Sequence, residues 1–195
     1  MKNIKKAFVC SFVLCVLLSF FSFSYTAENL SEKVIRFHIP ANSDSEIDQE
    51  IKLKVKDEIF EYVTRLLKES KSYKESENII VNNIENIDSK VNLILSEMNV
   101  DYKAQAKVIK EYFKTREYDT FTLPAGEYTA LRITLGEGKG ENWWCALYPS
   151  LCISTSLCEN ELSENEISLI ENKEENKISF LIYEWFLEIK KLFDN

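Results

Sequence analysis

The sequence predicts an α+β fold, an antiparallel sheet with two N-terminal helices packed on it and a C-terminal amphipathic helix. Long stretches of Lys, Glu, Ile and Asn carry apolar residues at helical spacing, whereas shorter stretches alternate apolar and polar residues as strands do. All four glycines and two of the three prolines fall between residues 117 and 152. The turns that join the strands are therefore expected there.

The first 27 residues have the pattern of an export signal. Three lysines within the first six residues precede a run without charge from Ala7 to Ala27, which is the order of a secretory leader. Small residues near the end of this run offer a cleavage site. The run is also nearly long enough to cross a bilayer uncleaved. We therefore expect a signal peptide or membrane anchor over residues 1–27 and export of the rest.

The next segment predicts a strand and two helices. Lys33–Ile39 is β-branched and aromatic, and Pro40 ends its hydrogen-bonding run. Capping residues then start a helix from about residue 46 to 69, and a second helix runs from about 75 to 98 with a narrow apolar seam. We expect this seam to pack on the first helix, since short connections favour antiparallel neighbours. The alternative is a partner's helix.

Charged residues of the first helix are expected to face solvent. Asp48 and Lys52 lie four residues apart, on a face other than the apolar stripe. At this spacing, oppositely charged side chains form an exposed ion pair on a helix.

A hairpin and a tryptophan-bearing strand are predicted further on. Strands over 118–123 and 128–135 flank Pro124 and Gly126, whose residue types suit a type II turn. If the stretch after Gly140 is a strand, its adjacent tryptophans point to opposite faces. The residues of the second hairpin strand expected to face the core are Leu131, Ile133 and Leu135.

The chain divides by composition into a leader, an α+β domain over residues 28–158, and a tail over residues 159–195. The tail is an acidic segment followed by a helix, Ile178–Phe193, with one apolar face. This face could dock on the domain or lie on a membrane. The acidic surroundings argue against an anionic leaflet.

Charge and composition disfavour several classes of ligand. A net charge of −8 makes nucleic acid a poor partner, because phosphate binding needs a basic face. The glycine-rich stretch from Gly136 to Gly140 lacks the Gly-Lys-Ser/Thr ending of a phosphate loop. No Cys-x-x-Cys spacing supports zinc. We therefore expect no cofactor and no metal.

Three cysteines follow the leader, at positions 145, 152 and 158. In an exported protein this odd number predicts one disulfide and one free thiol, or no pair. Cys145 and Cys152 flank Pro149, so a disulfide that closes this loop is sterically reasonable.

The candidate catalytic groups form no recognisable constellation. Cys145 with the single histidine, His38, would be a nucleophile and base, but the sequence does not bring them together. Glu117, Asp119 and Glu127 are acids near the predicted hairpin, and a solvated rim explains them better than a hydrolase pair does. The residues therefore favour a binding or signalling protein over an enzyme.

Two blocks carry a resemblance to a known family. The first begins RFHIPANSDS at Arg36, and the second is LPAGEYTALRITLGEGKGENWWCALYPSLC, from Leu123 to Cys152. Together they resemble the opening and the central signature of the stage II sporulation protein R family. The resemblance implies a protein made in the forespore and exported into the space between forespore and mother cell. There it would activate a membrane-bound aspartic protease, the sporulation sigma-E factor processing peptidase.

The resemblance implies a ligand for this protease and no catalytic residues. We expect the contact surface on the glycine-rich loop, the tryptophans that follow it and the hairpin tip, because exposed aromatics are frequent interface anchors. Membrane contact is expected only through the N-terminal segment. The alternatives are a cell-envelope hydrolase and a structural envelope protein. The residues expected to bind are Pro124, Gly126, Gly136, Gly138, Gly140, Trp143 and Trp144, with Arg36, His38, Asn42 and Asp44 as a second patch.

Overall fold

The computed structural model of the chain describes residues 2–149 and 161–193. Within these residues lie six helices and six strands, so the predicted α+β class and C-terminal helix are confirmed. In chain order the elements are α1 (Lys2–Ser31), β1 (Ile35–Pro40), α2 (Glu46–Leu67), α3 (Tyr73–Asn82), α4 (Ile84–Glu97), β2 (Ala104–Phe113), β3 (Arg116–Glu117), β4 (Thr122–Leu123), β5 (Gly126–Leu135), β6 (Asn142–Tyr148), α5 (Glu164–Glu171) and α6 (Lys173–Phe193).

The main sheet is mixed rather than antiparallel. Its strand order is β2-β5-β1-β6, and β1 runs parallel to β5 and antiparallel to β6. A parallel pair needs a long crossover connection, and three helices and three strands separate β1 from β5. The sequence-based prediction of antiparallel pairing did not foresee this, because it followed neighbouring strands along the chain.

The predicted hairpin around Pro124 and Gly126 is wrong. The small two-stranded sheet pairs β3 with β4, and its turn lies at Tyr118–Phe121, where the Tyr118 N–H donates to the Phe121 carbonyl at 2.8 Å. The rings of these two residues stack with centroids 4.5 Å apart. Pro124 is buried and Gly126 begins β5. The aromatic pair therefore makes the turn, and the proline–glycine stretch connects two sheets.

One face of the main sheet forms the hydrophobic core with α2, α3 and α4. The core-facing prediction for Leu131, Ile133 and Leu135 is confirmed, since all three are fully buried. Most of the apolar seam predicted near residues 75–98 is also buried in this core, although Met98 at its end is exposed and Asn83 divides the helix into α3 and α4. The seam thus packs within the chain. Each such side chain contributes about 1.5–3 kcal/mol by leaving water.

The chain forms two compact units. The sheet unit comprises Lys33–Glu111 and Glu127–Glu161, and the terminal unit comprises Met1–Glu32, Tyr112–Gly126 and Leu162–Asn195. Residues 112–126, which the sequence assigns to the α+β domain, therefore cluster with the terminal helices. The division of the chain into residues 28–158 and 159–195 stays a prediction.

The terminal unit is built around the end of α1. Phe23 packs edge-on against Phe180 and Tyr183 of α6, with ring centroids 5.3 and 5.7 Å apart. Ala27 and Leu30 are fully buried. Among the described residues one helix, α1, is long and apolar enough to cross a membrane over Ile4–Ser31, and a signal sequence passes the same test. The helix is therefore compatible with either predicted role.

Candidate functional site

The glycine loop, residues 136–141, joins β5 to β6 and lies on the capping segment, residues 41–45. Backbone N–H groups of the loop donate to side chains of that segment, Glu137 to Asn42 Oδ1 at 3.0 Å and Glu141 to Asp44 Oδ1 at 2.7 Å. The Gly140 N–H donates to the Ala41 carbonyl at 2.9 Å. The capping segment therefore fixes the conformation of the glycine loop.

Close approach explains why this loop contains glycine. A Cβ at Gly140 would overlap the backbone carbonyl of Ser43, which cannot move aside as a flexible side chain can. A Cβ at Gly136 would overlap the Asn42 side chain, and its φ of 54° favours glycine as well. Gly138 also has a positive φ, of 62°. Gly136 and Gly140 thus lie against the capping segment, whereas Gly138 lies close to the Thr134 side chain.

Asp48, in the first turn of α2, anchors the capping segment by hydrogen bonds. It is 7% exposed, and its carboxylate accepts hydrogen bonds from Ser43 Oγ at 2.5 Å, Asn42 Nδ2 at 2.9 Å and Tyr102 Oη at 2.7 Å. Burial raises the pKa of Asp48, but the hydrogen bonds from Ser43, Tyr102, Asn42 and Ser45 outweigh it and hold that pKa below its ordinary value of 3.8. Burial, with Asp48 nearby, raises the pKa of Tyr102 well above its ordinary value.

The predicted surface pair of Asp48 and Lys52 is wrong. Lys52 is buried too, and its Nζ donates to Gln49 Oε1 at 2.6 Å and to the Glu141 carbonyl at 3.1 Å. Helical spacing alone could not reveal this, because Asp48 binds the capping segment and Tyr102, and Lys52 binds the glycine loop. Lys52 therefore ties α2 to the end of the glycine loop.

An open cleft lies beside the glycine loop. Its volume is about 540 Å³, and the exposed Lys103 and Lys139 contribute to its walls. Lys139 Nζ lies 2.8 Å from Glu137 Oε2, and both side chains are largely exposed. The remaining lining residues are Asn42, Ser43, Tyr102 and Gly136. The loop backbone is thus fixed, while its charged side chains remain available to a partner.

The two tryptophans point to opposite faces of β6, as predicted. Trp143 is half-buried against the core, edge-on to Phe37 at 5.6 Å, with Lys56 Nζ 5.6 Å from its ring centroid. Trp144 is half-buried on the other face and stacks on His38 at 5.7 Å. Both indoles therefore have packing partners within the sheet unit.

A polar row crosses the second face of the main sheet. His38 Nδ1 lies 2.9 Å from Glu111 Oε2, and its Nε2 lies 2.8 Å from Asn142 Oδ1. Arg132 donates to the other oxygen of Glu111 at 3.0 Å. With Trp144 stacked on His38, each of the four strands supplies a residue to this row. The predicted binding residue His38 is thus buried and already hydrogen-bonded.

Arg36 is fully buried on the same face. Its Nε donates to the Cys145 carbonyl at 3.3 Å, and its guanidinium carbon lies 5.2 Å from the centroid of the Tyr128 ring. The predicted second patch therefore separates into two groups. Asn42 and Asp44 hold the glycine loop, whereas Arg36 and His38 pack on the sheet.

Sequence reasoning did not select Asp48, Tyr102, Glu111 or Arg132. Asp48 and Lys52 carried the sequence pattern of an exposed pair, and Glu111 lies far from His38 along the chain. Opposite charges at strand positions on the same face were the available signal for Glu111 and Arg132. Their pairing could not be read without the strand order.

The remaining predicted positions do not join the glycine loop. Pro124 and Gly126 belong to the terminal unit, and both are buried. Cys145 packs in the core with Phe37, on the face of the sheet opposite to His38. Its predicted disulfide partner, Cys152, lies outside the described residues, so that pairing stays a prediction.

The candidate catalytic acids lie at the surface. Glu117, Asp119 and Glu127 are exposed. No group of three or more His, Cys, Asp or Glu side chains able to hold a metal occurs within residues 2–149 and 161–193.

Comparison with known proteins assigns the family. The family model described as "Stage II sporulation protein R (spore_II_R)" matches residues 31–157. The chain belongs to this family. The match includes the capping segment, Asp48, the polar row and the glycine loop, so the site described above lies within the family's shared region.

A curated relative and the solved structures complete the comparison. The chain is 31% identical over 149 residues to the protein named Stage II sporulation protein R of Bacillus subtilis (strain 168). The aligned region covers 76% of this chain and 66% of the relative. The chain thus spans slightly less than two thirds of the relative's length. No solved structure matches it.

Proposed function

We propose that this chain is an exported signalling protein of endospore formation that activates the membrane-bound aspartic protease processing pro-sigma-E in the mother cell. Membership of the stage II sporulation protein R family supports this proposal. The apolar helix α1 suits export or anchoring at a membrane. The site of action is the space between forespore and mother cell, which such a leader would let the protein reach.

We expect the glycine loop and the adjacent cleft to be the surface that contacts the protease. The glycine loop is fixed by hydrogen bonds to Asn42 and Asp44, yet Glu137 and Lys139 project from it beside an open cleft. A surface that is ordered before binding loses little conformational entropy in the complex. It can shift a protease toward its active state only by binding that state more tightly.

The positions of the candidate nucleophile and acids support a ligand rather than an enzyme. Cys145 and His38 point to opposite faces of β6 and β1, so they do not form the nucleophile–base pair that a hydrolase would need. The acids Glu117, Asp119 and Glu127 are exposed, as residues of a solvated rim are expected to be.

Reconstitution in a non-sporulating host tests the proposal. The full chain, the processing protease and pro-sigma-E are expressed together, and pro-sigma-E cleavage is followed on immunoblots. We expect cleavage only when the chain is present. If no cleavage occurs while the chain is exported and folded, the proposal fails, and assays on peptidoglycan and ester substrates would test the hydrolase alternative.

Charge reversals then test the surface. Lys139→Glu and Lys103→Glu each invert a cation beside the cleft, and we expect both to reduce cleavage strongly without changing the thermal unfolding midpoint. Lys107→Glu is the matched control, since Lys107 is exposed on β2, four residues after Lys103, and does not line the cleft. Normal cleavage with the first two variants would remove the cleft from the contact surface and leave the activation itself intact.

A further inference from the structure

Helix α6 carries a continuous stripe of large exposed apolar side chains. Trp185 is 65% exposed and Leu192 is 78% exposed. Soluble monomers rarely expose so many large apolar groups side by side. The other members of the stripe are Ile178, Leu181, Ile182, Phe186 and Phe193.

The other side of α6 is docked, and two of its acids lie there. Phe180 and Tyr183 are buried against Phe23 of α1. Glu184 accepts a hydrogen bond from the Thr115 N–H at 2.9 Å. Glu188 pairs with Lys114 at 3.2 Å. These contacts direct both acids toward Lys114 and Thr115 and leave the apolar stripe facing outward.

The charge of α6 does not oppose a membrane. The helix contains four lysines and four glutamates, so it carries no net charge. Its last turn is basic, with Lys190 and Lys191. The sequence-based argument relied on the acidic segment before the helix and applied only to an anionic leaflet, so it does not oppose binding to a neutral bilayer.

The helix α1 supplies the reason for choosing a bilayer as the partner. The most apolar part of α1 is not buried within the protein. Contact between α1 and α6 reaches as far as Phe20 and Phe186, whose rings are 5.3 Å apart. Every α1 side chain over residues 4–19 is exposed, a length of about 24 Å at 1.5 Å per residue. A bilayer around this segment would have its surface near Phe186.

We propose that the apolar stripe of α6 lies on the lipid bilayer surface beside the point where α1 enters it. A helix with an apolar face containing Trp, Leu and Phe, and with lysines at its end, has the composition of an interfacial helix. This proposed membrane contact does not depend on which protein the glycine loop contacts.

Quenching of Trp185 by brominated lipid tests this membrane contact. The chain has three tryptophans, and Trp185 alone lies on α6, so subtracting the emission of a Trp185→Phe variant isolates its signal. The full chain is reconstituted in phosphatidylcholine vesicles with bromine near the headgroup end of the acyl chains. We expect loss of most of the Trp185 emission, while the emission remaining in Trp185→Phe is unchanged by the brominated lipid.

Two variants and an aqueous quencher make the outcome decisive. Leu181→Glu combined with Leu192→Glu should restore Trp185 emission, whereas Lys177→Glu, an exposed control on the same helix, should not. Emission that acrylamide quenches and brominated lipid does not would place Trp185 in water and overturn the proposal. Protection from both quenchers would also overturn it, because a protein partner or a second copy would then cover the stripe.

Discussion

In both the glycine loop and helix α6, the residue types suggest the opposite of what the structure shows. The loop region is rich in Gly, Asn and Asp, types that suggest a flexible recognition surface. However, Asn42 and Asp44 form hydrogen bonds to the loop backbone, and Asp48 binds Asn42 in turn. Helix α6 is rich in Leu, Ile and aromatic residues, which suggest a core, yet most of them face outward. A residue's availability to a partner therefore depends on what its own fold leaves unused.

The largest expected effect in this comparison is at Gly140. Gly140→Ala places a Cβ on the Ser43 carbonyl, so the loop or the capping segment has to move. We expect a loss of about 2–4 kcal/mol in the free energy of unfolding, at the upper end of overpacking costs, because the added Cβ meets backbone rather than a flexible side chain. Denaturant unfolding measures it, with Glu137→Ala in the same loop as control. An unchanged midpoint would show that the loop does not rest on the capping segment.

Removal of the Asp48 charge should have the next largest effect. Asp48→Asn weakens the bonds from Ser43 and Tyr102, and we expect about 1.5–3 kcal/mol of destabilisation, the range for hydrogen bonds to a charged group. Asp57→Asn is the matched control on the same helix, because the Asp57 side chain is 69% exposed. If the two variants unfold alike, Asp48 does not anchor the capping segment.

The same carboxylate predicts a dependence of stability on acid pH. The pKa of Asp48 is lowered in the folded state, so the folded chain binds its proton less readily than the unfolded chain does. The resulting stability is present above the ordinary pKa of 3.8 and is lost as pH falls through the lower folded value. Unfolding measured from about pH 5 downward should show a shallower decline in Asp48→Asn than in the wild type. Parallel declines would contradict it.

The smallest effect on stability is expected on α6. Leu192→Ser replaces an exposed apolar side chain, so the free energy of unfolding in detergent should change by less than about 0.5 kcal/mol. Phe180→Ser, at a buried position of the same helix, should cost about 3 kcal/mol or more. Comparable losses at both positions would show that the stripe is packed in the folded protein.

Periodicity was sufficient to predict the fold where one face of an element is buried. The core face of β5, the opposed tryptophans of β6 and the amphipathic α6 all follow from spacing. The parallel pairing of β1 with β5 does not, because it depends on a crossover that no local pattern records. The predicted turn at Pro124 failed because the residue types of a type II turn also suit a connection between sheets, and the aromatic pair Tyr118–Phe121 made a better turn.

The functional site was harder to predict than the fold. The sequence correctly brought Gly136, Gly138 and Gly140 into one loop, but it could not show that Asn42 and Asp44 hold that loop. Buried charges are invisible to helical periodicity, since a charged residue is read as exposed unless its partners are known. Asp48 and Lys52 have partners from two other segments, and only the folded chain brings those segments together.

The central position of β1 has a consequence for the order of folding. Its paired residues in β5 and β6 lie 94 to 113 residues later in the chain. During synthesis β1 therefore remains unpaired while α2, α3 and α4 can already form. Such distant pairing slows closure of the sheet. A chain interrupted before Glu141 would leave one edge of β1 without its partner and would also lack the Glu141 carbonyl, which accepts a hydrogen bond from Lys52. Only a nascent chain that has extended past β6 can therefore display the finished glycine loop.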